Sequence, residues 1–290
     1  MTGQLYLVGT PIGNLEDMTY RAIRILKEAD VIAAEDTRTS AVLLNHFDIH
    51  NKVTSYHEFN KIEKAKVLVE KMLEGENVAL ITDAAMPGIS DPGEELVKEA
   101  YRNGIKVSVI PGPTAFASAA VISGLSTRRI AFEAFLPKDK KERQRVLSEL
   151  ADETRTMVIY EAPHHLKKTM QELSEVFGSE RRISLIRELT KKYEEVNLCT
   201  FKEALHLYDD KEPRGEYVLV IEGKSKAEVQ AEINKKYENI SIKDHVESYI
   251  NKGYDKKTAM KMAAGDRGVS KRDIYSALLD EEAGDAGDRR

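Results

Sequence analysis

The sequence contains almost no cysteine and no long apolar segment. Its single cysteine, Cys199, cannot form an internal disulfide or a cysteine-based zinc site, so we expect a reducing compartment, most simply the cytoplasm. The least polar stretch, residues 114–124, is too short to span a bilayer, and no membrane partner is predicted. No basic segment precedes the short apolar run before Gly9, so we expect no signal peptide.

The chain also lacks the positive net charge that is typical of nucleic-acid-binding proteins. It has 44 Lys and Arg against 49 Asp and Glu, a net charge of −5. Two segments differ from this average. Residues 128–145 contain seven basic residues against three acidic ones, and residues 242–278 contain eight against five. Binding to phosphate groups would therefore depend on local patches.

The length of 290 residues and the hydrophobic content of 41% predict two globular domains with an appendage. Strands alternate with helices in residues 1–118, which predicts an α/β domain with a mostly parallel sheet. Residues 119–225 predict a second α/β domain with a mixed or antiparallel sheet. After a polar stretch, residues 240–280 predict three short helices whose glycine-containing joints resemble a helix-turn-helix.

Four strands of the first predicted domain end in loops that are polar or rich in Gly and Pro. Ligands bind at the carboxyl ends of parallel strands, so we expect these loops to lie at one edge of the sheet and to form one site. Proline restricts the backbone, and glycine, which has no side chain, allows it to approach a ligand closely. The loops comprise residues 9–14, 35–38, 83–93 and 111–115.

A dinucleotide-binding fingerprint is one interpretation of the first loop. Gly9 and Gly13 flank it, and Glu35 follows 22 residues after Gly13, close to the spacing of a ribose-binding acid. Pro11 stands where the second glycine of the fingerprint belongs, and proline lacks the N–H that a pyrophosphate would need. The pattern therefore argues against dinucleotide binding.

Seven motifs, in order, resemble the tetrapyrrole-methylase family, and within it the branch that methylates the 2′-oxygen of a cytidine in small-subunit ribosomal RNA. The resemblance implies two α/β domains with a cofactor cleft between them and a C-terminal helical module. Each motif alone is weak, but seven in order are specific. They are Val8–Asn14, Ala34–Arg38, Asp83–Gly93, Pro111–Ala115, Phe135–Pro137, Tyr160–His164 and Arg214–Tyr217.

This resemblance implies that S-adenosylmethionine binds in the cleft between the two domains without a metal, and that the protein is a homodimer. Ala85 stands where the family usually has glycine, and its methyl group would crowd the cofactor loop. The implied cofactor contacts are Pro11, Asp83, Ala85, Met86, Pro87, Ile89, Ser90, Pro111, Thr114, Ala115, Tyr160, Glu161, Ala162, Arg214, Gly215 and Glu216.

The resemblance leaves a second set of polar residues to face the methyl acceptor. Asp36, Arg38, His57 and Glu58 are the candidate catalytic residues, because methyl transfer needs groups that orient the acceptor and relay a proton. Simpler roles stay open for three of them. Asp36 is suited to cap a helix over 37–47, Arg38 to form a surface ion pair, and His57 to lie at the surface or in the core.

The basic segment after Pro137 supplies the candidate RNA-binding residues Lys140, Lys141, Arg143 and Arg145, although such a run is often only a solvated helix face. Two other functions compete: methylation of a small tetrapyrrole or corrin, and RNA binding without catalysis. The basic patches and the helical appendage favour RNA over a tetrapyrrole. The loop cluster favours an enzyme. The predicted partner is small-subunit ribosomal RNA or the assembled subunit.

Overall fold

A computed structural model describes the backbone of residues 1–287 and the side chains of residues 1–279. The chain forms two compact units, Met1–Glu222 and Gly223–Arg290. Across residues 1–279, no helix combines the length and the apolar character that crossing a bilayer requires.

The first unit begins with a parallel five-stranded sheet of order β3-β2-β4-β1-β5, as the sequence predicts. Helices cover both faces, so the central strands β2 and β4 are buried along their whole length. The elements are β1 (Gln4–Val8), α1 (Tyr20–Glu28), β2 (Val31–Ala34), α2 (Thr37–His46), β3 (Lys52–Ser55), α3 (Lys61–Leu73), β4 (Val78–Ile81), α4 (Gly93–Arg102) and β5 (Lys106–Ile110).

A second five-stranded sheet completes this unit, with order β6-β7-β10-β8-β9. It is mixed, as predicted, because β6 and β7 are parallel and the remaining pairs are antiparallel. Its elements are α5 (Ala115–Ile122), β6 (Ile130–Phe135), α6 (Lys140–Leu150), β7 (Thr156–Glu161), α7 (Pro163–Phe177), β8 (Arg182–Arg187), β9 (Glu195–Thr200), α8 (Phe201–His206) and β10 (Tyr217–Ile221).

Helix α5 packs on the second sheet. Its buried Ala119 and Ala120 lie in one core cluster with Val158 and Val220. The predicted boundary between residues 118 and 119 falls inside this helix. We propose that the two α/β domains divide before it, at residues 111–114.

The second unit is helical, and its last three helices correspond to the three that the sequence predicts. They enclose a small core that includes Val246, Ala259 and Ile274. The preceding polar stretch also forms a helix, although none of its side chains is buried. The elements are α9 (Lys226–Lys236), α10 (Ile242–Ile250), α11 (Lys256–Arg267) and α12 (Lys271–Gly287).

Candidate active site

The parallel arrangement of the first sheet brings the four Gly/Pro-rich and polar loops to one edge. The loop after β1 is tied to the loop after β4, because the Thr10 N–H donates to the Ala85 carbonyl oxygen at 2.9 Å and the Thr10 hydroxyl donates to the Thr82 carbonyl oxygen at 3.2 Å. The adjoining Pro11 is buried. These bonds set the path of the loop after β4, which carries six of the sixteen predicted cofactor contacts.

Asp91 organises the second half of that loop. Its carboxylate accepts backbone N–H bonds from Gly88 and Gly93, both at 2.7 Å. Burial raises the pKa of Asp91 even though these donors act in the opposite direction. Within this framework Pro87 is buried and Ile89 is exposed, as is Ser90. Asp91 therefore shapes the loop, as an aspartate in a turn commonly does.

Ala85 adopts a left-handed backbone conformation with a φ of 71°, next to the half-buried Met86. This conformation costs a non-glycine residue roughly 1–2 kcal/mol. We expect Ala85→Gly to raise the free energy of unfolding by up to about 1 kcal/mol, since part of the relief is lost to the extra freedom of glycine in the unfolded chain. Urea unfolding measures this change in stability. Calorimetry should show equal or tighter cofactor binding, and clearly weaker binding would contradict this account of the loop.

The turn after β5 lies against the loop after β1. A Cβ atom on Gly9 would lie 2.7 Å from the Gly112 backbone, so the two loops meet backbone to backbone. Pro111 is exposed beside this contact, whereas Thr114 and Ala115 are half-buried at the start of α5. The turn therefore stands next to the loop that carries Pro11, as a shared cofactor site requires.

The second sheet presents its own loops at one edge. Tyr217 pairs with Glu161 on β7 and with Arg187 on β8, so the segment 214–216 lies beside Tyr160–Ala162. The Glu216 N–H donates to the Glu188 carboxylate at 2.8 Å. Gly215 has a φ of 83° and packs on the same side chain, while the Arg214 carbonyl oxygen accepts from the Arg187 guanidinium at 2.7 Å.

Two contacts join this edge to the loops of the first sheet. The Tyr160 hydroxyl accepts the Phe116 N–H at 3.0 Å, which places the start of α5 against β7. Lys191 packs its side chain close to Gly13 and forms ion pairs with Glu188 at 3.2 Å and Glu216 at 2.8 Å. The resemblance did not identify Lys191. Its position a few residues after β8, at the same edge as Tyr160, is a signal that a strand prediction alone could have supplied.

The candidate acceptor residues follow β2, which neighbours β4 in the sheet, and the edge strand β3. Asp36 is the N-cap of α2, because its carboxylate accepts the Arg38 N–H at 2.8 Å, so the simpler role expected for it is correct. The same carboxylate pairs with the Arg38 guanidinium at 2.8 Å, and this hydrogen bonding lowers the pKa of Asp36 to about 2. The Asp36 N–H donates to Asp83 at 3.1 Å. This bond connects the acceptor loop to the cofactor loop.

His57 lies after β3, the neighbour of β2. Its N–H donates to the Asn60 side-chain oxygen at 2.8 Å, and its Nε2 lies 3.3 Å from the Asn60 amide nitrogen. The other ring nitrogen, Nδ1, is buried and has no hydrogen-bond partner among the described residues. Glu58 is exposed and pairs with Lys61 at 2.6 Å. Of this pair, His57 is the residue with an unused polar group.

The candidate RNA-binding residues on α6 divide into two groups. Lys140, Lys141 and Arg145 are exposed. Arg143 is not, because its side chain is only 16% exposed and its guanidinium bonds to Glu172 at 2.6 Å and to Thr169 at 2.7 Å. The expectation that Arg143 serves as a free phosphate contact is therefore corrected. Its charge is already used in holding α6 against α7.

Comparison with known proteins identifies the fold family of this arrangement. Residues 4–205 match the model of the family described as tetrapyrrole (corrin/porphyrin) methylases. The chain belongs to the tetrapyrrole methylase family. This confirms the resemblance that the seven motifs indicate. A member of this family is a methyltransferase that uses S-adenosylmethionine.

Several relatives of this tetrapyrrole methylase carry the name ribosomal RNA small subunit methyltransferase I. The protein of Halalkalibacterium halodurans is 49% identical over 279 residues, which cover 96% of each chain. The Bacillus subtilis protein is 45% identical, covering 95% of this chain and 94% of its own. The Thermotoga maritima protein is 43% identical over 222 residues, which are 77% of this chain but 99% of that protein.

Solved structures share the methylase fold at low sequence identity. A uroporphyrin-III-C-methyltransferase from Thermus thermophilus superposes with a TM-score of 0.53 at 23% identity, covering 75% of this chain and 94% of that one. A diphthine synthase superposes with a TM-score of 0.58 at 15% identity, covering 76% of this chain and 90% of its own. The predicted fold class is thereby confirmed.

The charges at the edge of the first sheet fit the family cofactor. S-adenosylmethionine carries a sulfonium and an ammonium group against one carboxylate, a net positive charge. Burial raises the pKa of Asp83, and the neighbouring carboxylates of Glu35 and Asp36 raise it further. A cation would offset this mutual repulsion. Among the described residues, no group of His, Cys, Asp and Glu is arranged to hold a metal ion.

Proposed function

We propose that this tetrapyrrole methylase transfers the methyl group of S-adenosylmethionine to the 2′-hydroxyl of a cytidine in small-subunit ribosomal RNA. One observation carries the proposal: Asp36, Arg38 and His57 lie at the same sheet edge as the cofactor loop, and Asp36 is bonded to that loop through Asp83. The names of the full-length relatives support an RNA substrate. Such a substrate implies a cytoplasmic location.

The cofactor supplies an activated methyl group, so the protein has to align the acceptor and handle one proton. Asp36 stays ionised at neutral pH and is a weak base, because a pKa of about 2 is far from the operating pH. We assign it the task of holding Arg38, whose guanidinium then contacts a phosphate next to the target ribose. We assign His57 to the acceptor side of the site as well; because its unpartnered Nδ1 is buried, this role requires the ring to turn outward when RNA binds.

The two competing functions are less well supported. A solved uroporphyrin methyltransferase and a solved cobalt precorrin-4 methyltransferase match at 23% and 20% identity, whereas the Halalkalibacterium halodurans relative named for ribosomal RNA matches at 49%. A binding protein without catalysis would not need the cofactor loops of a methylase. Mass mapping of small-subunit RNA from cells with and without the gene tests the proposal. One cytidine should lose 14 Da of ribose mass, and an unchanged RNA would overturn it.

Cofactor binding should be independent of metal ions. We expect calorimetry to show one molecule of S-adenosylmethionine bound per chain, with the same affinity before and after treatment with EDTA. The physical reason is that backbone groups and carboxylates at the sheet edge are sufficient to hold an organic cation. Absence of binding heat, or loss of binding after chelation, would contradict this site.

RNA docking should depend more on α6 than on the second unit. Replacing Lys140, Lys141 and Arg145 by Ala should weaken binding to the small subunit and flatten its salt dependence, by up to about 0.7 per lost phosphate contact. Deleting residues 223–290 should cost less, because the Thermotoga relative aligns over 222 residues, as many as the first unit contains. Binding titrations at several salt concentrations measure both.

Two results would contradict this docking assignment. One is that the deletion abolishes methylation, and the other is that the triple variant binds like the wild type. Arg143 is left unchanged in the variant, because its ion pair with Glu172 supports the fold. Cofactor affinity is the control and should survive both changes.

We also propose that the protein acts as a homodimer. An apolar patch supports this: Val121 and Ile122 on α5 are exposed, as are Val196 and Leu198 on β9. The end of α5 meets β9, since a Cβ atom on Gly124 would lie 3.0 Å from Leu198. Contiguous apolar surface of this kind is typical of subunit interfaces. Light scattering should give twice the mass of one chain.

A further inference from the structure

A cavity of about 580 Å³ opens at the carboxyl ends of β6 and β7, on the face of the second sheet that α6 and α7 cover. The alternation of side chains on β7 separates it from the cofactor cleft. The Tyr160 hydroxyl accepts from α5 on one face, whereas the Glu161 side chain turns to the other face, where the Thr169 hydroxyl donates to it. Glu161, one of the cofactor contacts that the resemblance implies, therefore faces away from the cofactor cleft, and that expectation is corrected. Apart from Ala162, no other implied cofactor contact lines this cavity.

Three Lys and Arg side chains line its walls. Lys138 and Lys168 are exposed, whereas the charge of Arg143 is already paired with Glu172. Lys138 forms no ion pair among the described residues, and the Nζ of Lys168 lies 3.8 Å from the nearest carboxylate oxygen of Glu172. The one acid in the wall, Glu161, is buried and accepts the Ala162 N–H at 2.8 Å. Lys138 is therefore free to neutralise an anion at the cavity mouth, and Lys168 can do so by giving up a long ion pair with Glu172.

Aromatic rings lie next to these charges. Phe135 is 61% exposed although it is large and apolar, and its ring centroid is 5.5 Å from that of Tyr160. His164 and His165 begin α7 with ring centroids 4.1 Å apart. Exposed aromatic rings beside lysines are the surface on which unpaired bases stack.

We propose that this cavity binds one unpaired nucleotide of the RNA substrate, adjacent in sequence to the methylated one. Its base stacks on Phe135, and its phosphate lies between Lys138 and Lys168. The cavity volume falls in the range of sites that enclose a small molecule, which is more room than a phosphate alone requires. The inference rests on the proposed function, because it supplies part of the recognition of that RNA.

The test measures binding of unmethylated small ribosomal subunits, and of a short RNA fragment that contains the methylated nucleotide, to the full chain at several salt concentrations. Phe135→Ala should lower affinity about tenfold without changing the salt slope, because stacking involves no counterion. Lys138→Ala with Lys168→Ala should lower affinity about tenfold and flatten the slope by up to about 1.4, twice the value for one single-strand contact. The matched control is Lys202→Ala. This exposed lysine lies in α8, which begins at the opposite edge of the second sheet.

Cofactor affinity, measured by calorimetry, should be unchanged in every variant. The pocket assignment is overturned if Phe135→Ala and the double lysine variant both match Lys202→Ala, or if cofactor affinity falls with RNA affinity. It is also overturned if only binding to the assembled subunit weakens, since the cavity would then contact a ribosomal protein. A wild-type chain that methylates no small-subunit RNA would instead overturn the proposed function, and this inference with it.

Discussion

Replacing Arg38 by Ala should reduce kcat/KM for RNA methylation about 100-fold while leaving the affinity for S-adenosylmethionine within twofold of the wild type. The Arg38 side chain is 88% exposed and is held by Asp36 on the acceptor side of the site. A charge-assisted hydrogen bond to a phosphate contributes roughly 1.5–3 kcal/mol, which corresponds to the expected loss. Arg38→Lys should recover only part of the activity, because a lysine lacks the planar fork that Asp36 orients.

Arg24→Ala is the matched control. Arg24 also lies on a helix of the first sheet, is exposed, and pairs with a carboxylate, Glu28, at 2.8 Å. It lies away from the strand-end loops, so methylation should change less than twofold. If Arg38→Ala lowers cofactor affinity in parallel with activity, Arg38 belongs to the cofactor site or to the fold, and its assignment to the acceptor is wrong.

Replacing Gly9 by Ala should lower cofactor affinity at least 100-fold and destabilise the protein by about 1–3 kcal/mol. The added Cβ would lie 2.6 Å from the Met86 sulfur and 2.7 Å from the Gly112 backbone. The Met86 side chain can turn away, but the Gly112 backbone cannot move without shifting the turn that precedes α5. The loops that should enclose the cofactor would therefore separate. Calorimetry and urea unfolding measure the two effects.

The control for this change is Gly265→Ala. Gly265 lies inside α11, and a Cβ atom there would meet nothing within 4 Å. Alanine has a higher helix propensity than glycine, so this variant should be as stable as the wild type or slightly more stable. A Gly9→Ala protein that binds the cofactor normally would show that the loops after β1 and β5 do not form its site.

The buried strands of the fold could be predicted because their residues are nearly all apolar. The apolar runs Val31–Ala34, Val78–Ile81 and Tyr217–Ile221 coincide with the strands β2, β4 and β10 of the structure. Two strands were not predicted, for physical reasons. Lys52–Ser55 is an edge strand whose first two residues are exposed, and Ile130–Phe135 is interrupted by a bulge between Phe132 and Ala134. Neither has an uninterrupted apolar run.

Helix α9, in the polar stretch before residue 240, was not predicted from the sequence for a different reason. It buries no side chain, so periodicity could not reveal it. Its capping box is readable in the sequence, because Ser225 precedes Glu228 by three residues and each side chain bonds to the other's backbone N–H. Local hydrogen bonding rather than packing was the available signal.

For the candidate site, the position of each loop could be predicted, but the partner of each side chain could not. The placement of Asp36 and Asp83 at one edge could be predicted, because each follows the carboxyl end of a strand in a parallel sheet. The bond of Arg143 to Glu172 depends on how α6 packs on α7, 29 residues later in the chain. The unpartnered nitrogen of His57 likewise depends on Asn60 bonding to both its backbone N–H and its ring. Such pairings arise from packing, which spacing in the sequence does not encode.

Within the described part of the chain, the backbone passes from the first sheet to the second once, through the turn at Pro111, Gly112 and Pro113, because all strands of the first sheet precede it and all strands of the second follow it. Two prolines fix their own φ angles there, and the middle residue is held against Gly9. A hinge at this point would have few torsions left to rotate. The cofactor should therefore enter a groove that is already shaped, and its association rate should be limited by diffusion and desolvation rather than by closure of the two domains.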